Sequence, residues 1–320
     1  MKVEPAQYLE ASFIAPLLVD QDVTDISYNG EELFYVSNYK GRQRFQTPLS
    51  EDDVSSFLRQ LANLTEKQFS VQSPILDVSF GRYRVNAVNS SLARKKNKKT
   101  YTFSIRIESG ECRIKDDSSF FDEQSMRILK SLVMSQESIV IGGKTSSGKT
   151  ELEKWLLQNM NPNTRIIVID NVEELDMVEN PNVDLTTWMV SEQVKDASFS
   201  GLIKNALRNN PDYIVVAESR GEEMLDGLIS AMSGHPIITT IHAQDIAAMP
   251  DRIARLAMLG NQRLGKDELL DDISHHLKYY VYVEKEIGTD GVVSRFIKEI
   301  GRLDESTGKM NLIYERRKQQ

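Results

Sequence analysis

The chain has 320 residues, 40% of them apolar and 27% charged, with a formal net charge of −8. That length holds two domains with a real core in each, and the acidic balance argues against wholesale nucleic-acid binding. One cysteine, Cys112, rules out an intrachain disulfide and a cysteine-based zinc knuckle; with no basic-then-apolar leader after Met-Lys-Val-Glu-Pro and no apolar run of membrane-spanning length, a cytoplasmic protein is expected.

Residues 1–120 read as α+β. Val23–Tyr28 and Leu33–Ser37 are strand formers around Asn29-Gly30, a hairpin signal. Ser50 precedes Glu51, Asp52 and Asp53 as a capping-box-like start, and Val54, Phe57, Leu58, Leu61 and Leu64 follow at helical spacing, predicting a helix to about Phe69. Ile75–Phe80 and Tyr83–Val88 read as strands separated by Gly81, and residues 101–107 as another. Between them, Arg94-Lys95-Lys96-Asn97-Lys98-Lys99 places five positive charges in six residues; this is either a solvated tip or a contact for acidic lipid headgroups or a partner. Around 108–121 the composition turns to Gly, Asp and Ser, which predicts an N-terminal α+β domain over 1–112, a linker over 113–121 and a second domain over 122–320.

From 122 a helix is expected to 136, and strands and helices then alternate: strand 138–142, helix 149–160, strand 165–170, helix 198–209, strand 213–217, helix 221–232, strand 236–241. A helix over 247–259 and strands near 277–284 and 292–300 close the chain. Alternation of this kind predicts a mostly parallel sheet with helices on both faces. Gly143-Lys144-Thr145-Ser146-Ser147-Gly148-Lys149-Thr150 fits G-x-x-x-x-G-K-[ST] between the first of these strands and its helix. Glycines let backbone N–H groups close around phosphate oxygens, and the helix N-terminus favours negative charge. Gly143, Thr145, Ser146, Ser147, Gly148, Lys149, Thr150 and the adjoining Glu151 are therefore the expected nucleotide-binding set, with Lys149 on the β- and γ-phosphates and the Thr150 hydroxyl on Mg²⁺.

Hydrolysis also needs a carboxylate to orient water or hold Mg²⁺. Glu218 leaves the strand Tyr213-Ile214-Val215-Val216, the position expected of a Walker-B acid and a second Mg²⁺ ligand. The strand over 165–170 delivers Asp170, Glu173 and Glu174; one of them could polarise the attacking water, the others serving as helix-cap or surface charges. His235 and His242 bracket the strand Ile237-Ile238-Thr239-Thr240-Ile241, where an imidazole can report phosphate charge, while His275 and His276 are read as structural.

The order of these motifs resembles the traffic ATPases of type II and type IV secretion and conjugation systems. The phosphate loop, the acidic box at 169–175, Asn-Pro-Asp-Tyr-Ile-Val-Val-Ala-Glu-Ser-Arg-Gly-Glu-Glu at 210–223 and Gly-His-Pro-Ile-Ile-Thr-Thr-Ile-His-Ala at 234–243 carry the resemblance. It implies an α/β, RecA-like P-loop ATPase domain behind a smaller α+β domain, a homohexameric ring, ATP and Mg²⁺ as cofactors, and N-terminal arginines reaching the phosphates. Gly-x-x-Arg-Val at 81–85 and Ser-Ile-Arg at 104–106 nominate Arg84 and Arg106. One cysteine excludes the paired Cys-x-x-Cys motifs of the pilus-assembly branch, so the conjugation-type, VirB-eleven-like branch is favoured. That branch implies inner-membrane channel components as partners and a cytoplasmic protein held peripherally at the inner face of the membrane, without direct sequence-specific nucleic-acid binding. Two departures stand out: Ala217 replaces a glycine before Glu218, and Asp170-Asn171 replaces Glu-Asp, shortening the reach of that acid by about 1.5 Å. The alternatives are a pilus-retraction motor, a nucleotide-gated scaffold with weak turnover, and a DNA motor whose sole support is the basic loop.

Overall fold

The computed structural model describes residues 4–109, 111–115, 117–172, 174–175, 183–191 and 194–317. It divides into two compact units, one of residues 1–109 with 287–293, the other of residues 110–286 with 294–320.

Unit 1 opens with two short helices, α1 (Pro5–Glu10) and α2 (Ala15–Leu18), which the sequence pattern did not announce. The strands β1 (Val23–Tyr28), β2 (Leu33–Ser37) and β3 (Gln43–Phe45) follow, then α3 (Glu51–Leu64), β4 (Ile75–Phe80), β5 (Tyr83–Val88), the two-residue strands β6 (Arg94–Lys95) and β7 (Lys98–Lys99), and β8 (Thr102–Ile107). Six of these strands form an antiparallel sheet in the order β3-β2-β1-β8-β5-β4. Alternate strand residues Ile26, Tyr28, Val85, Phe103 and Ile105 meet Val54, Phe57, Leu58 and Leu61 of α3, as a period of two facing a period of 3.6 requires.

The capping box at α3 is formed, with Asp53 N–H donating to Ser50 Oγ and Ser50 N–H to Asp53 Oδ2. The helix stops at Leu64, five residues before the expected end. Glu66 takes a left-handed φ of 56°, and its N–H and that of Lys67 bond back to Asn63 and Ala62. A glutamate does the work usually given to a C-terminal glycine, so no glycine marks the stop. Between β1 and β2, Gly30 has φ +96°, and a Cβ there would lie 2.5 Å from Thr100 Cγ2. The basic stretch is a hairpin turned by Lys96 and Asn97, both at positive φ. Part of its charge is used locally: Arg94 donates to the Ser90 and Ala93 carbonyls, and Lys96 pairs with Glu31 at 2.7 Å.

Unit 2 contains α4 (Glu123–Met134), β9 (Ile139–Gly143), α5 (Lys149–Gln158), β10 (Arg165–Asp170), β11 (Asp184–Met189), α6 (Phe199–Ala206), β12 (Tyr213–Val216), α7 (Glu223–Met232), β13 (Ile237–His242), α8 (Met249–Gly260), α9 (Lys266–His276), β14 (Tyr279–Ile287), β15 (Val293–Leu303) and β16 (Met310–Glu315). The sheet order is β11-β10-β12-β13-β9-β14-β15-β16. Strands β11 to β14 are mutually parallel, and β15 and β16 pair antiparallel at the far edge. Being buried on both sides, the central strands are mostly apolar. Ile139, Ile141, Ile166, Val168 and Val215 meet Leu129 and Val133 of α4 and Leu152, Trp155 and Leu156 of α5. Val140, Ile167, Ile169, Ile214 and Val216 meet Ile203, Leu228, Ile253 and Ile273 of α6 to α9. Helices therefore cover both faces.

The stretch 113–121 is not a linker in this structure. It belongs to unit 2, where Phe120 and Phe121 are each 1% exposed and Phe121 lies against Trp155 at 4.7 Å between centroids. Composition misled here because Gly, Asp and Ser surround two aromatics that carry the burial. Also absent from the sequence expectation are β3, β11, α9 and β16; β11 reads Asp-Leu-Thr-Thr-Trp-Met, too polar to signal a strand, and α9 buries little besides Leu269 and Ile273.

Candidate functional site

Parallel strands carry their following loops at one edge. That edge gathers the ends of β9 (Gly143), β10 (Asp170), β12 (Val216) and β13 (His242), with His242 in register with Gly143 and Val216 with Ile169.

The phosphate loop is built tightly. A Cβ on Gly143 would lie 2.5 Å from Ser147 Oγ and 2.6 Å from the Val283 carbonyl oxygen, so only glycine fits. Gly148, at φ +101°, caps α5 with the Phe120 ring beside it. Lys149 is 8% exposed and donates from Nζ to the Lys144 carbonyl at 3.1 Å and the Gly143 carbonyl at 3.4 Å. Thr145 is exposed on the loop, Thr150 is half-buried, and Ser147 Oγ is buried with no hydrogen-bond partner among the described residues.

Glu151, counted with the loop from sequence, is turned elsewhere. Its carboxylate accepts the Arg113 N–H at 2.6 Å and pairs with Lys154 at 3.1 Å, tying α5 to the 112–113 segment. The carboxylate is thus engaged away from the loop, which leaves the Glu151 backbone N–H at the start of α5 as its group toward phosphate.

Glu218 follows β12 and is gripped by its neighbours. Arg220 reaches one oxygen at 2.5 Å, and His242 Nε2 lies 3.0 Å from Oε1 without the alignment of a hydrogen bond. Burial pushes this carboxyl up, but Arg220, His242 and Lys149 outweigh it and hold it below the ordinary glutamate range. Burial and the Lys149 charge hold the His242 imidazole below its ordinary value, against Glu218 and a backbone hydrogen bond with Gly143. The pair is thus a carboxylate beside a neutral imidazole, both within the field of Lys149. Hydroxyls secure the loop: Thr240 Oγ1 donates to the Ala217 carbonyl at 2.8 Å, and Ser219 and Thr239 share a 2.9 Å hydrogen bond. Ala217 has no positive φ, so the backbone does not need glycine there.

Asp170 is 0% exposed and its oxygens accept three backbone N–H groups, from Asn171 at 2.7 Å, Leu175 at 3.1 Å and Val172 at 3.2 Å. Burial raises its pKa despite those donors, and Glu174 adds to the rise. The geometry is that of a side chain that folds its own loop. A base that polarises water needs an accessible oxygen, so Asp170 is not placed for the role suggested by its position in the sequence. Glu174 is buried nearby, and Glu173 lies outside the described residues.

His235 stands at the amino end of β13, a strand length from His242 and away from the loop edge; of the two bracketing histidines, only His242 is brought to the site. Arg84 and Arg106 are cross-strand partners in unit 1, Arg84 facing Asp77 at 3.6 Å and Arg106 pairing with Glu108 at 2.6 Å. Two like charges directly opposite are unfavourable unless an anion is shared.

Two residues near the loop escaped sequence reasoning. Arg295 of β15 donates from Nε to the Ser146 carbonyl at 2.8 Å, a contact with no local signature. Glu153 lies one turn beyond Lys149 on α5 and is 0% exposed, with neither carboxyl oxygen hydrogen-bonded among the described residues. Here a signal existed: a glutamate on a face otherwise made of Leu152, Trp155 and Leu156. Burial, with Asp170, Glu174 and Glu218 adding to it against Lys149, raises its pKa well above the ordinary range. The unfolded chain releases this proton above about pH 4.5 while the folded chain keeps it, so this contribution to stability is complete below that pH and declines as pH rises. Glu153→Leu is therefore expected to stabilise the protein at pH 8 by about 1–3 kcal/mol and to flatten the fall in stability above pH 5. Urea unfolding at both pH values checks this; equal or lower stability of the variant at pH 8 contradicts it.

The Thr150 hydroxyl and the Glu218 carboxylate, whose Oε1 is buried without a hydrogen bond, are hard oxygen donors and suit Mg²⁺ brought in with a nucleotide. No helix among the described residues is long and apolar enough to cross a membrane.

Comparison with known proteins fits this geometry. The family described as Type II/IV secretion system protein matches residues 104–278, more than half of the chain. An uncharacterized protein of Bacillus anthracis is 28% identical over 88% of this chain, which spans 63% of that relative's length. A Mycobacterium tuberculosis protein named for conjugal transfer is 24% identical over 98% of this chain and 90% of its own. The type IV secretion system protein VirB11 of Bartonella quintana is 26% identical over 76% of this chain and 78% of its own. Among solved structures, the Legionella pneumophila ATPase DotB shares the fold with a TM-score of 0.65 at 20% identity, over 96% of this chain and 83% of that one. The protein belongs to the type II/IV secretion system protein family, on its conjugation-type branch.

Proposed function

We propose that the protein is an ATP hydrolase that works as a homohexameric ring at the inner face of the cell membrane and drives type IV secretion or conjugative transfer by ATP-driven domain motion. The observation that carries this reading is the convergence of Lys149, Glu218 and His242 on the carboxyl edge of one parallel sheet, beside the Gly143–Thr150 loop. In this reading unit 2 is the RecA-like domain. Lys149 exchanges its two carbonyl partners for phosphate oxygens. Glu218, ionised and steered by Arg220, orients the attacking water, and neutral His242 donates a hydrogen bond where γ-phosphate charge develops. Mg²⁺, when bound by Thr150 and Glu218, supplies Lewis-acid stabilisation of that charge. Arg84 and Arg106, cross-strand neighbours on unit 1, are the arginines that would exchange Asp77 and Glu108 for phosphate oxygens in this reading. The basic hairpin at 94–99 supports attachment to anionic lipid headgroups.

The occupation of Asp170 by three backbone donors favours a second reading, a nucleotide-gated scaffold with weak hydrolysis. Gel filtration with and without ATPγS, beside a Mg²⁺-dependent turnover assay and flotation on anionic vesicles, separates the two. Nucleotide-dependent assembly with turnover supports the motor, assembly without turnover the scaffold, and a monomer that neither turns over nor floats removes both.

A further inference from the structure

The phosphate loop contains a strained residue. Ser146 has φ +58°, the left-handed region that side chains with a Cβ rarely adopt. Such a conformation persists only where the surroundings over-determine it. Two contacts do so. Arg295 Nε donates to the Ser146 carbonyl at 2.8 Å, and on the other side of the same peptide Ser147 N–H bonds to the Lys144 carbonyl at 3.2 Å. The plane of that peptide is held from both sides. The arginine stem passes along Gly148, its Cδ 3.7 Å from where a Cβ would stand, so the side chain meets the loop at Gly148 as well as at Ser146.

We propose that Arg295 is a positioning residue of the nucleotide site: its guanidinium latches the Ser146 carbonyl and holds the left-handed turn from which the loop presents Lys149 and the α5 N-terminus to phosphate. The proposal rests on the nucleotide-site reading above and assigns the order of the loop to a strand 149 residues away in sequence. A planar donor suits the task. Arg presents N–H groups in a fixed fork, whereas the ammonium of Lys is a flexible point donor. The latch acts on the backbone, so it becomes dispensable once residue 146 can take positive φ without cost, as glycine does.

That last point gives the test. ATPγS affinity is measured by titration calorimetry on the full chain and on the variants Arg295→Ala, Arg295→Lys, Ser146→Gly and Arg295→Ala/Ser146→Gly. Loss of the latch is expected to weaken ATPγS binding about tenfold, equivalent to about 1.4 kcal/mol. Arg295→Lys is expected to recover part of it, and the double variant to bind within about threefold of the Ser146→Gly chain, by the non-additivity of coupled positions. In turnover, Arg295→Ala raises KM for ATP more than it lowers kcat. Native-like affinity in Arg295→Ala overturns the proposal. So does a double variant as weak as Arg295→Ala, which would mean that the guanidinium acts on the nucleotide through its charge. A native chain that binds no ATPγS overturns the nucleotide-site reading itself.

Discussion

Lys149→Ala is expected to lower kcat/KM for ATP by about 10²–10³-fold, the cost of losing one preorganised donor at a developing charge. Lys149 is 8% exposed and its ammonium is held by two loop carbonyls, so in the proposed reaction it is already largely desolvated and aimed. In the proposed reaction phosphate oxygens replace those carbonyls, so that the ammonium meets an ionised acceptor instead of a neutral one. The same charge lies within reach of Glu218 and His242, so the variant also loosens the electrostatic set of both. Mg²⁺-dependent phosphate release under steady-state conditions is the measurement, and turnover within threefold of native would contradict the assignment of the loop.

Glu218→Gln is expected to separate binding from chemistry. The amide keeps the shape and the Arg220 contact but removes the negative charge, so ATPγS affinity measured in EDTA, without Mg²⁺, should stay within about threefold while kcat in Mg²⁺ falls about 10²–10⁴-fold, the range for losing a positioned base. The direction of the two shifted groups also sets the pH profile. Glu218 is held below its ordinary value and His242 below 6.5, so the carboxylate with neutral imidazole persists as pH falls through the usual histidine range. The acid limb of kcat is therefore expected below pH 6.5. A limb centred above that value, or a Gln variant with native kcat, would remove Glu218 and His242 from the chemistry.

Several elements were legible because their signals are local. The capping box at Ser50 and Asp53, the apolar runs of β9, β10, β12 and β13, and the glycines of the phosphate loop each depend on neighbours within a few residues. The candidate site was legible to the same extent: Lys149, Glu218 and His242 follow apolar strands, and parallel strands send such residues to one edge. Asp170 shows the limit. Its place at the end of a strand was readable, but its job depends on whether its oxygens face water or the backbone of the next five residues, and the fold chose the backbone. Where the Glu151 side chain points was hidden for the same reason, because its partner is the Arg113 N–H on a segment 38 residues earlier.

The sequence alone thus determined the alternating α/β order of the second half, the antiparallel hairpins of the first half and the chemistry available at the strand ends. Periodicity, turn residues and motif spacing are properties of short stretches. Only the tertiary structure decided that Ile114, Phe120 and Phe121 join a core, that Glu153 is buried on α5 one turn beyond Lys149, and that Arg295 holds Ser146. Each of these depends on desolvation or on a hydrogen bond between distant segments. Such energies exist only once the chain has closed.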